Sequence, residues 1–133
     1  MILFDRDGVI NERVVGGYVT EWKQFRFRDG IIQAMTALAK LALPMVVVSN
    51  QAGVGKCLLS SRAPEDITER FVSELKECHV RIDVVYYCPH TPEQNCGWRK
   101  PRSELMEAAA RDWKLDLGRS VLIADSETDL ETA

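Results

Sequence analysis

Short apolar runs alternate with helical repeats along the chain. The runs are continuous and rich in Val, Ile, Leu, Phe and Tyr, which is typical of strands that are covered on both faces. Between them, apolar residues recur three or four positions apart, a spacing that predicts amphipathic helices. The predicted strands are 2–4, 45–48, 83–87 and 121–124, and the predicted helices are 30–43, 64–78 and 103–113.

The order of these elements predicts the fold class. Strands that alternate with helices imply right-handed crossovers and a parallel sheet with helices on both faces, as in Rossmann-like α/β proteins. The sequence shows no repeat, low-complexity tract or linker, so residues 1–133 are expected to form one domain. The polar segment 11–28 is long for a connection, and long loops are often functional.

Composition and charge argue against several classes of protein. Apolar residues make up 46% of the chain and charged residues 28%, which is the balance of an ordinary globular domain. The net charge of −3 indicates neither a nucleic-acid surface nor an anionic membrane surface, and no apolar run approaches the length of a membrane span. The N-terminus lacks the features of a signal peptide. We therefore expect a cytoplasmic protein with no nucleic-acid or membrane partner. We further expect it to be a monomer that acts on a small molecule.

Polar side chains follow several of the predicted strands. Asp5 and Asp7 follow the first strand, Ser49 and Asn50 the second, and Asp125 the last. Because the carboxyl ends of parallel strands meet at one edge of an open sheet, these groups are expected to lie close together. Carboxylates held close repel each other unless a cation neutralises them, and hard oxygen ligands suit Mg²⁺. Taken alone, the first pair has an equally good interpretation as part of a solvated Asp-Gly turn.

Segments of the chain resemble, in order, the motifs of the haloacid dehalogenase superfamily of phosphatases. These segments are Phe-Asp-Arg-Asp-Gly-Val-Ile-Asn at 4–11, Val-Val-Val-Ser-Asn-Gln-Ala-Gly at 46–53, Arg-Lys-Pro at 99–101 and Ala-Asp-Ser-Glu-Thr-Asp at 124–129. Each motif is short and weak alone, but together they extend over nearly the whole chain. The resemblance implies a phosphatase with a Rossmann-like domain.

The resemblance also implies roles for individual residues. Asp5 would attack phosphorus and become phosphorylated, while Asp7 would protonate the leaving oxygen and then activate water. Ser49 would bind the phosphoryl oxygens through its hydroxyl, with Asn50 beside it. Lys100 would place a positive charge on the same oxygens. The implied reaction is the hydrolysis of a phosphomonoester through an aspartyl-phosphate.

A Mg²⁺ site is part of the same resemblance. The implied ligands are the side chain of Asp5, the backbone carbonyl of Asp7 and the side chain of Asp125. The ion would screen the phosphate from the attacking carboxylate, which otherwise faces strong repulsion between like charges.

A cysteine-rich loop offers a second metal site. Cys88, His90 and Cys96 lie close in sequence and can place three donors around one Zn²⁺. The loop resembles the zinc loop of one branch of the superfamily, which contains heptose 1,7-bisphosphate phosphatases and histidinol-phosphate phosphatases. In that branch the last ligand is a cysteine, where this chain has Trp98. The alternatives are an incomplete zinc site, a site completed by a distant cysteine, and a metal-free loop with free thiols.

The resemblance further bears on the substrate. No segment is long enough for a large cap domain, so the site should be open. Gly17 and Tyr18 fall in the family's substrate loop, and Arg99 would bind a second phosphate or sugar hydroxyls. The expected substrate is a sugar phosphate or bisphosphate such as D-glycero-D-manno-heptose 1,7-bisphosphate. Histidinol phosphate is the first alternative, and a catalytically impaired metal-binding or interaction module is the second.

The C-terminal end departs from the family pattern. Members of the family normally continue beyond the last motif with a helix and a strand, but this sequence ends at Ala133. The sequence therefore predicts that the C-terminal strand of the fold is missing, in either a truncated or a pared-down domain.

Overall fold

The architecture is a parallel sheet covered by helices. The computed structural model describes residues 1–50, 63–88 and 104–127. The strands are β1 (Ile2–Asp5), β2 (Met45–Asn50), β3 (Val84–Cys88) and β4 (Val121–Ile123), and the helices are α1 (Ile31–Ala39), α2 (Ala63–Glu77) and α3 (Glu104–Trp113). The strands lie in the order β3-β2-β1-β4, and every pair is parallel. No helix in those ranges is both long enough and apolar enough to span a bilayer.

Alternating side chains of β1 divide the core into two layers. Ile2 and Phe4 are buried on one side of the sheet, in a cluster that also contains residues of α1 and α2. Leu3 is buried on the other side, in a cluster with Met106 and Ala109 of α3. Helices therefore cover both faces of the sheet, which confirms the predicted α/β class.

Helix α1 is shorter than the apolar spacing predicts. It ends at Ala39, whereas the pattern extends to residue 43. Pro44 disfavours helical backbone at the residue before it, and Ala42 adopts a left-handed conformation with φ of 53°. The chain can therefore leave the helix and enter β2 at Met45.

Strand β2 is longer than predicted, and this carries polar residues to the edge of the sheet. Ser49 pairs with Tyr87 and Asn50 pairs with Cys88, so the parallel ladder continues through both residues. Ser49 is 2% exposed. The backbone of Ser49 is thus held by regular strand geometry and not by a loop.

Aromatic side chains anchor the long polar segment 11–28 to the core. The rings of Trp22 and Phe25 stack with centroids 5.0 Å apart, and Phe27 meets Phe25 edge to face at 5.1 Å. Phe25 also stacks on Phe71 of α2 at 5.5 Å. Such pairs add to the free energy gained by burial. The segment is therefore packed, and it holds the residues before it close to the sheet.

Candidate active site

The sheet register brings the predicted polar groups to one edge. Asp5 ends β1, and the register places Ser49 one residue further along the neighbouring β2. On the other side of β1, Asp125 lies two residues beyond Ile123, the last residue of β4, whose partner in β1 precedes Asp5. The segments that follow β1, β2 and β4 therefore meet at the carboxyl edge, as the parallel topology predicts.

Gly8 lies at a close approach between two of these segments. Its φ is 93°, a left-handed conformation that side chains disfavour. A Cβ atom at Gly8 would lie 1.9 Å from Oδ2 of Asp125 and 2.6 Å from Nε of Arg13. The loop after β1 thus packs its backbone directly against Asp125, and this position needs glycine for two separate reasons.

The carboxylates of Asp5 and Asp7 have different environments. Asp5 is 6% exposed, and its Oδ1 accepts a hydrogen bond from the backbone N–H of Arg6 at 2.8 Å. The side chain of Asp7 is 29% exposed. It accepts hydrogen bonds from the guanidinium of Arg6 at 2.9 and 3.0 Å and from Nδ2 of Asn11 at 2.9 Å. One carboxylate is buried and the other reaches the surface, an arrangement that can divide attack and proton transfer between them.

A cavity of about 240 Å³ opens beside these carboxylates. The predicted residues Asp5, Asp7, Gly17, Tyr18 and Asn50 all line it, although they come from separate segments of the chain. The remaining lining residues are Arg13, Val14, Val19 and Ser126. The structure therefore joins the predicted substrate loop to the predicted catalytic residues in one space.

Arg13 is a site residue that the sequence analysis missed. Its Nε donates to Oδ2 of Asp125 at 2.9 Å, and its Nη2 donates to Oδ1 at 2.6 Å. The hydrogen bond to Asp125 is the largest cause that raises the pKa of Arg13 above its ordinary value, and the charges of Asp125, Asp5 and Asp7 add to it. The available sequence signal was a basic residue inside a long loop, which does not identify its partner.

The donor set at this edge fits a hard divalent cation. Asp5 and Asp125 offer carboxylate oxygens, and the guanidinium of Arg13 stands in for a cation on Asp125. In the parts of the chain that the structure describes, no three His, Cys, Asp or Glu side chains are grouped as a metal site. The predicted Mg²⁺ set does not need such a group, because it combines two carboxylates with the backbone carbonyl of Asp7.

Several predicted site residues lie outside the described parts of the chain. They are Arg99, Lys100, His90 and Cys96. Cys88 is described, and it is buried at the carboxyl end of β3. Cys78 follows the end of α2, near the start of β3, so the length of the strand, about 3.3 Å per residue, separates the two thiols. Cys78 therefore cannot complete a zinc site that contains Cys88.

Known proteins of similar sequence are phosphatases. The profile of the family described as Polynucleotide kinase 3 phosphatase matches residues 1–127. The chain is 41% identical over 140 residues to the D-glycero-alpha-D-manno-heptose-1,7-bisphosphate 7-phosphatase of Mycobacterium tuberculosis. This alignment covers 99% of this chain and 70% of the relative. It is 35% identical over 130 residues to the D-glycero-beta-D-manno-heptose-1,7-bisphosphate 7-phosphatase of Helicobacter pylori, in an alignment that covers 97% of this chain and 74% of the relative.

A solved structure shares the fold. The D,D-heptose 1.7-bisphosphate phosphatase from B. bronchiseptica, which was crystallised in complex with magnesium and phosphate, matches with a TM-score of 0.93 and 28% identity. The match covers 99% of this chain and 73% of that protein. Sequence motifs, sheet topology and relatives therefore agree. The chain belongs to the Polynucleotide kinase 3 phosphatase family within the haloacid dehalogenase superfamily, and it is a phosphatase.

Proposed function

We propose that this chain is a Mg²⁺-dependent phosphomonoesterase that forms an aspartyl-phosphate on Asp5. The observation that most directly supports the proposal is the shared cavity, which the buried Asp5 and the partly exposed Asp7 both line. A nucleophile and a proton donor must reach the same phosphate ester, and this cavity gives access to both.

In the first half-reaction, a carboxylate oxygen of Asp5 attacks phosphorus while the bond to the leaving oxygen breaks. Asp7, protonated at this stage, gives its proton to that oxygen, so the product leaves as a neutral alcohol. Ser49 and Asn50 lie at the end of the strand next to Asp5, from which they would hold the phosphoryl oxygens. Lys100 would add a fixed positive charge on the same oxygens, as the family resemblance implies.

In the second half-reaction, Asp7 takes a proton from water while the water oxygen attacks phosphorus. The bond between phosphorus and Asp5 breaks, and inorganic phosphate leaves. Both carboxyl groups then return to their starting protonation states. Because Asp7 first gives and then takes the proton, the cycle requires no further proton carrier.

Mg²⁺ would be held by the side chains of Asp5 and Asp125 and by the backbone carbonyl of Asp7. When bound, the ion supplies positive charge that reduces the repulsion between the phosphate and the attacking carboxylate. Arg13 holds both oxygens of Asp125 in the structure. A cation on Asp125 would therefore compete with this guanidinium for the carboxylate.

The proposed substrate is a sugar bisphosphate, D-glycero-D-manno-heptose 1,7-bisphosphate. The relatives in Mycobacterium tuberculosis and Helicobacter pylori are named as 7-phosphatases of this compound, of its alpha and beta forms respectively. The cavity suits a substrate with a second charged group, because Arg13 adds a guanidinium to the wall that also contains Gly17 and Tyr18. A planar guanidinium binds phosphate through paired hydrogen bonds.

Phosphate-release assays with a panel of substrates test the reaction and the substrate together. We expect hydrolysis of a heptose bisphosphate that stops in EDTA and returns when Mg²⁺ is restored. One bisphosphate anomer should exceed the heptose monophosphate and histidinol phosphate by about tenfold or more in kcat/KM, because a second phosphate adds charge-assisted hydrogen bonds.

Each other outcome of this assay has a defined meaning. Hydrolysis that is independent of divalent cations would contradict the mechanism. A preference for histidinol phosphate would overturn the sugar substrate and favour the alternative enzyme. No hydrolysis of any ester, with the cation present, would favour a catalytically impaired binding module.

We also propose that Zn²⁺ binds the loop that contains Cys88, His90 and Cys96. Elemental analysis should find about one zinc per chain, and Cys88→Ser should lower this content because it removes one of three protein ligands. Cys78→Ser is the matched control, since Cys78 lies at the opposite end of β3 and should not affect the metal. Carefully purified protein without zinc, or equal zinc contents in the two variants, would remove the claim.

A further inference from the structure

Asp7 is held by two buried donors that the proposed mechanism does not use. Arg6 is 2% exposed and Asn11 is 0% exposed. Oδ1 of Asp7 accepts hydrogen bonds from Nε of Arg6 at 3.3 Å, from Nη2 of Arg6 at 2.9 Å and from Nδ2 of Asn11 at 2.9 Å. Oδ2 accepts one from Nη2 of Arg6 at 3.0 Å. The two residues therefore engage Oδ1 more heavily than Oδ2.

The backbone turn after β1 fixes both donors. The carbonyl of Arg6 accepts hydrogen bonds from the backbone N–H groups of residues 9–11 at distances between 2.8 and 3.3 Å. The N–H of Gly8 donates to the carbonyl of Asn11 at 2.7 Å. Nδ2 of Asn11 also donates to the carbonyl of Glu12 at 2.9 Å, which sets the orientation of its amide. The backbone of the turn and the carbonyl of Glu12 thus hold the donors in place.

The burial of Arg6 and Asn11 strengthens the hydrogen bonds that they make, because the local dielectric constant is lower than that of water. Nε and Nη2 of Arg6 together contact both oxygens of Asp7, so the pair resists rotation of that carboxylate. Asn11 adds a donor from a second direction. Arg6 and Asn11 together therefore restrain the orientation of the Asp7 carboxyl group.

We propose that Arg6 and Asn11 are positioning residues that orient the carboxyl group of Asp7 for proton transfer to the leaving oxygen. This inference rests on the proposed function. As the bond from Asp5 to phosphorus forms and the ester bond breaks, the proton moves from the carboxyl group of Asp7 to the leaving oxygen. In the second half-reaction the same carboxyl group takes the proton from water. Both positioning residues act through Asp7.

The dependence of kcat/KM on the leaving group tests this role. The probes are phosphate monoesters that range from 2,4-dinitrophenyl phosphate, whose leaving group needs no proton, to glycerol phosphate, whose leaving group does. Asn11→Ala and Arg6→Lys should lower kcat/KM about 10- to 100-fold for glycerol phosphate and less than about threefold for the dinitrophenyl ester. Asp7→Asn, which removes the proton donor itself, should show the largest difference in kcat/KM loss between glycerol phosphate and the dinitrophenyl ester.

Arg28→Lys is the matched control. Arg28 belongs to the same region, but its guanidinium donates to the backbone carbonyl of Gly8 and not to Asp7. Any loss that it causes should be equal for all the esters. An equal loss for all esters in Asn11→Ala and Arg6→Lys, or no loss in either, would overturn the inference.

Two further results keep the test decisive. If Arg6→Lys does not fold, as judged by circular dichroism, Asn11→Ala decides alone because it removes one neutral donor and no charge. A wild-type protein that hydrolyses none of the esters, nor the heptose bisphosphate, would instead contradict the proposed function.

Discussion

Asp5→Asn is expected to lower kcat by about four orders of magnitude or more, because an amide cannot replace the carboxylate as nucleophile. The change is nearly isosteric at a position that is 6% exposed. Asparagine also keeps an oxygen that can accept the hydrogen bond from the N–H of Arg6. Steady-state kinetics should therefore show a lost reaction, while circular dichroism and thermal unfolding show a retained fold.

Asp66→Asn makes the same chemical change away from the cavity. Asp66 is exposed in the first turn of α2, so the kcat of the Asp66→Asn variant should equal that of the wild type. A variant at Asp5 that kept as much as about a tenth of the wild-type kcat would rule out Asp5 as the nucleophile, since removal of a nucleophile has far larger effects.

Gly8→Ala is expected to lower the free energy of unfolding by about 3 kcal/mol and kcat/KM by about 100-fold. Part of the destabilisation comes from the left-handed backbone, with φ of 93°. The larger part comes from the new Cβ atom, which would lie 1.9 Å from Oδ2 of Asp125, so the loop or the carboxylate must shift. Urea unfolding and steady-state kinetics measure the two effects.

Gly30→Ala separates backbone strain from the steric clash. Gly30 is also left-handed, with φ of 78°, but a Cβ atom there meets nothing within 4 Å among the described residues. Gly30→Ala should lower the free energy of unfolding by about 1 kcal/mol, which is the backbone strain alone, and leave kcat/KM unchanged. If the two variants lost the same stability and activity, close packing of Gly8 against Asp125 would not be important for the site.

The sheet and its two layers follow from local sequence patterns. Continuous apolar runs predict strands that are buried on both faces, and the structure places Phe4 and Val47 in one layer and Leu3 and Val46 in the other. Once the parallel order is predicted, the polar residues that follow each strand must lie at the same edge. The shared location of Asp5 and Asn50 at one cavity was therefore predictable without coordinates.

The contacts that shape the site depend on geometry that spacing does not encode. Arg13 and Asp125 are separated by 112 positions, and no periodic pattern connects them. Arg6 is buried, although a charged residue in a polar segment is normally expected at the surface. Arg6 is buried because it pairs with Asp7. This pairing depends on the three-dimensional turn between β1 and Asn11, which residue spacing does not reveal.

Anomalous diffraction from crystals soaked in Mn²⁺, which takes the same oxygen ligands as Mg²⁺, tests the central claim most directly. We predict one strong peak about 2.1 Å from a carboxylate oxygen of Asp5 and from one of Asp125, with the guanidinium of Arg13 displaced from Asp125. A peak that contacts only one of these carboxylates, or no peak while Arg13 keeps both oxygens of Asp125, would contradict the shared cation on which the mechanism depends.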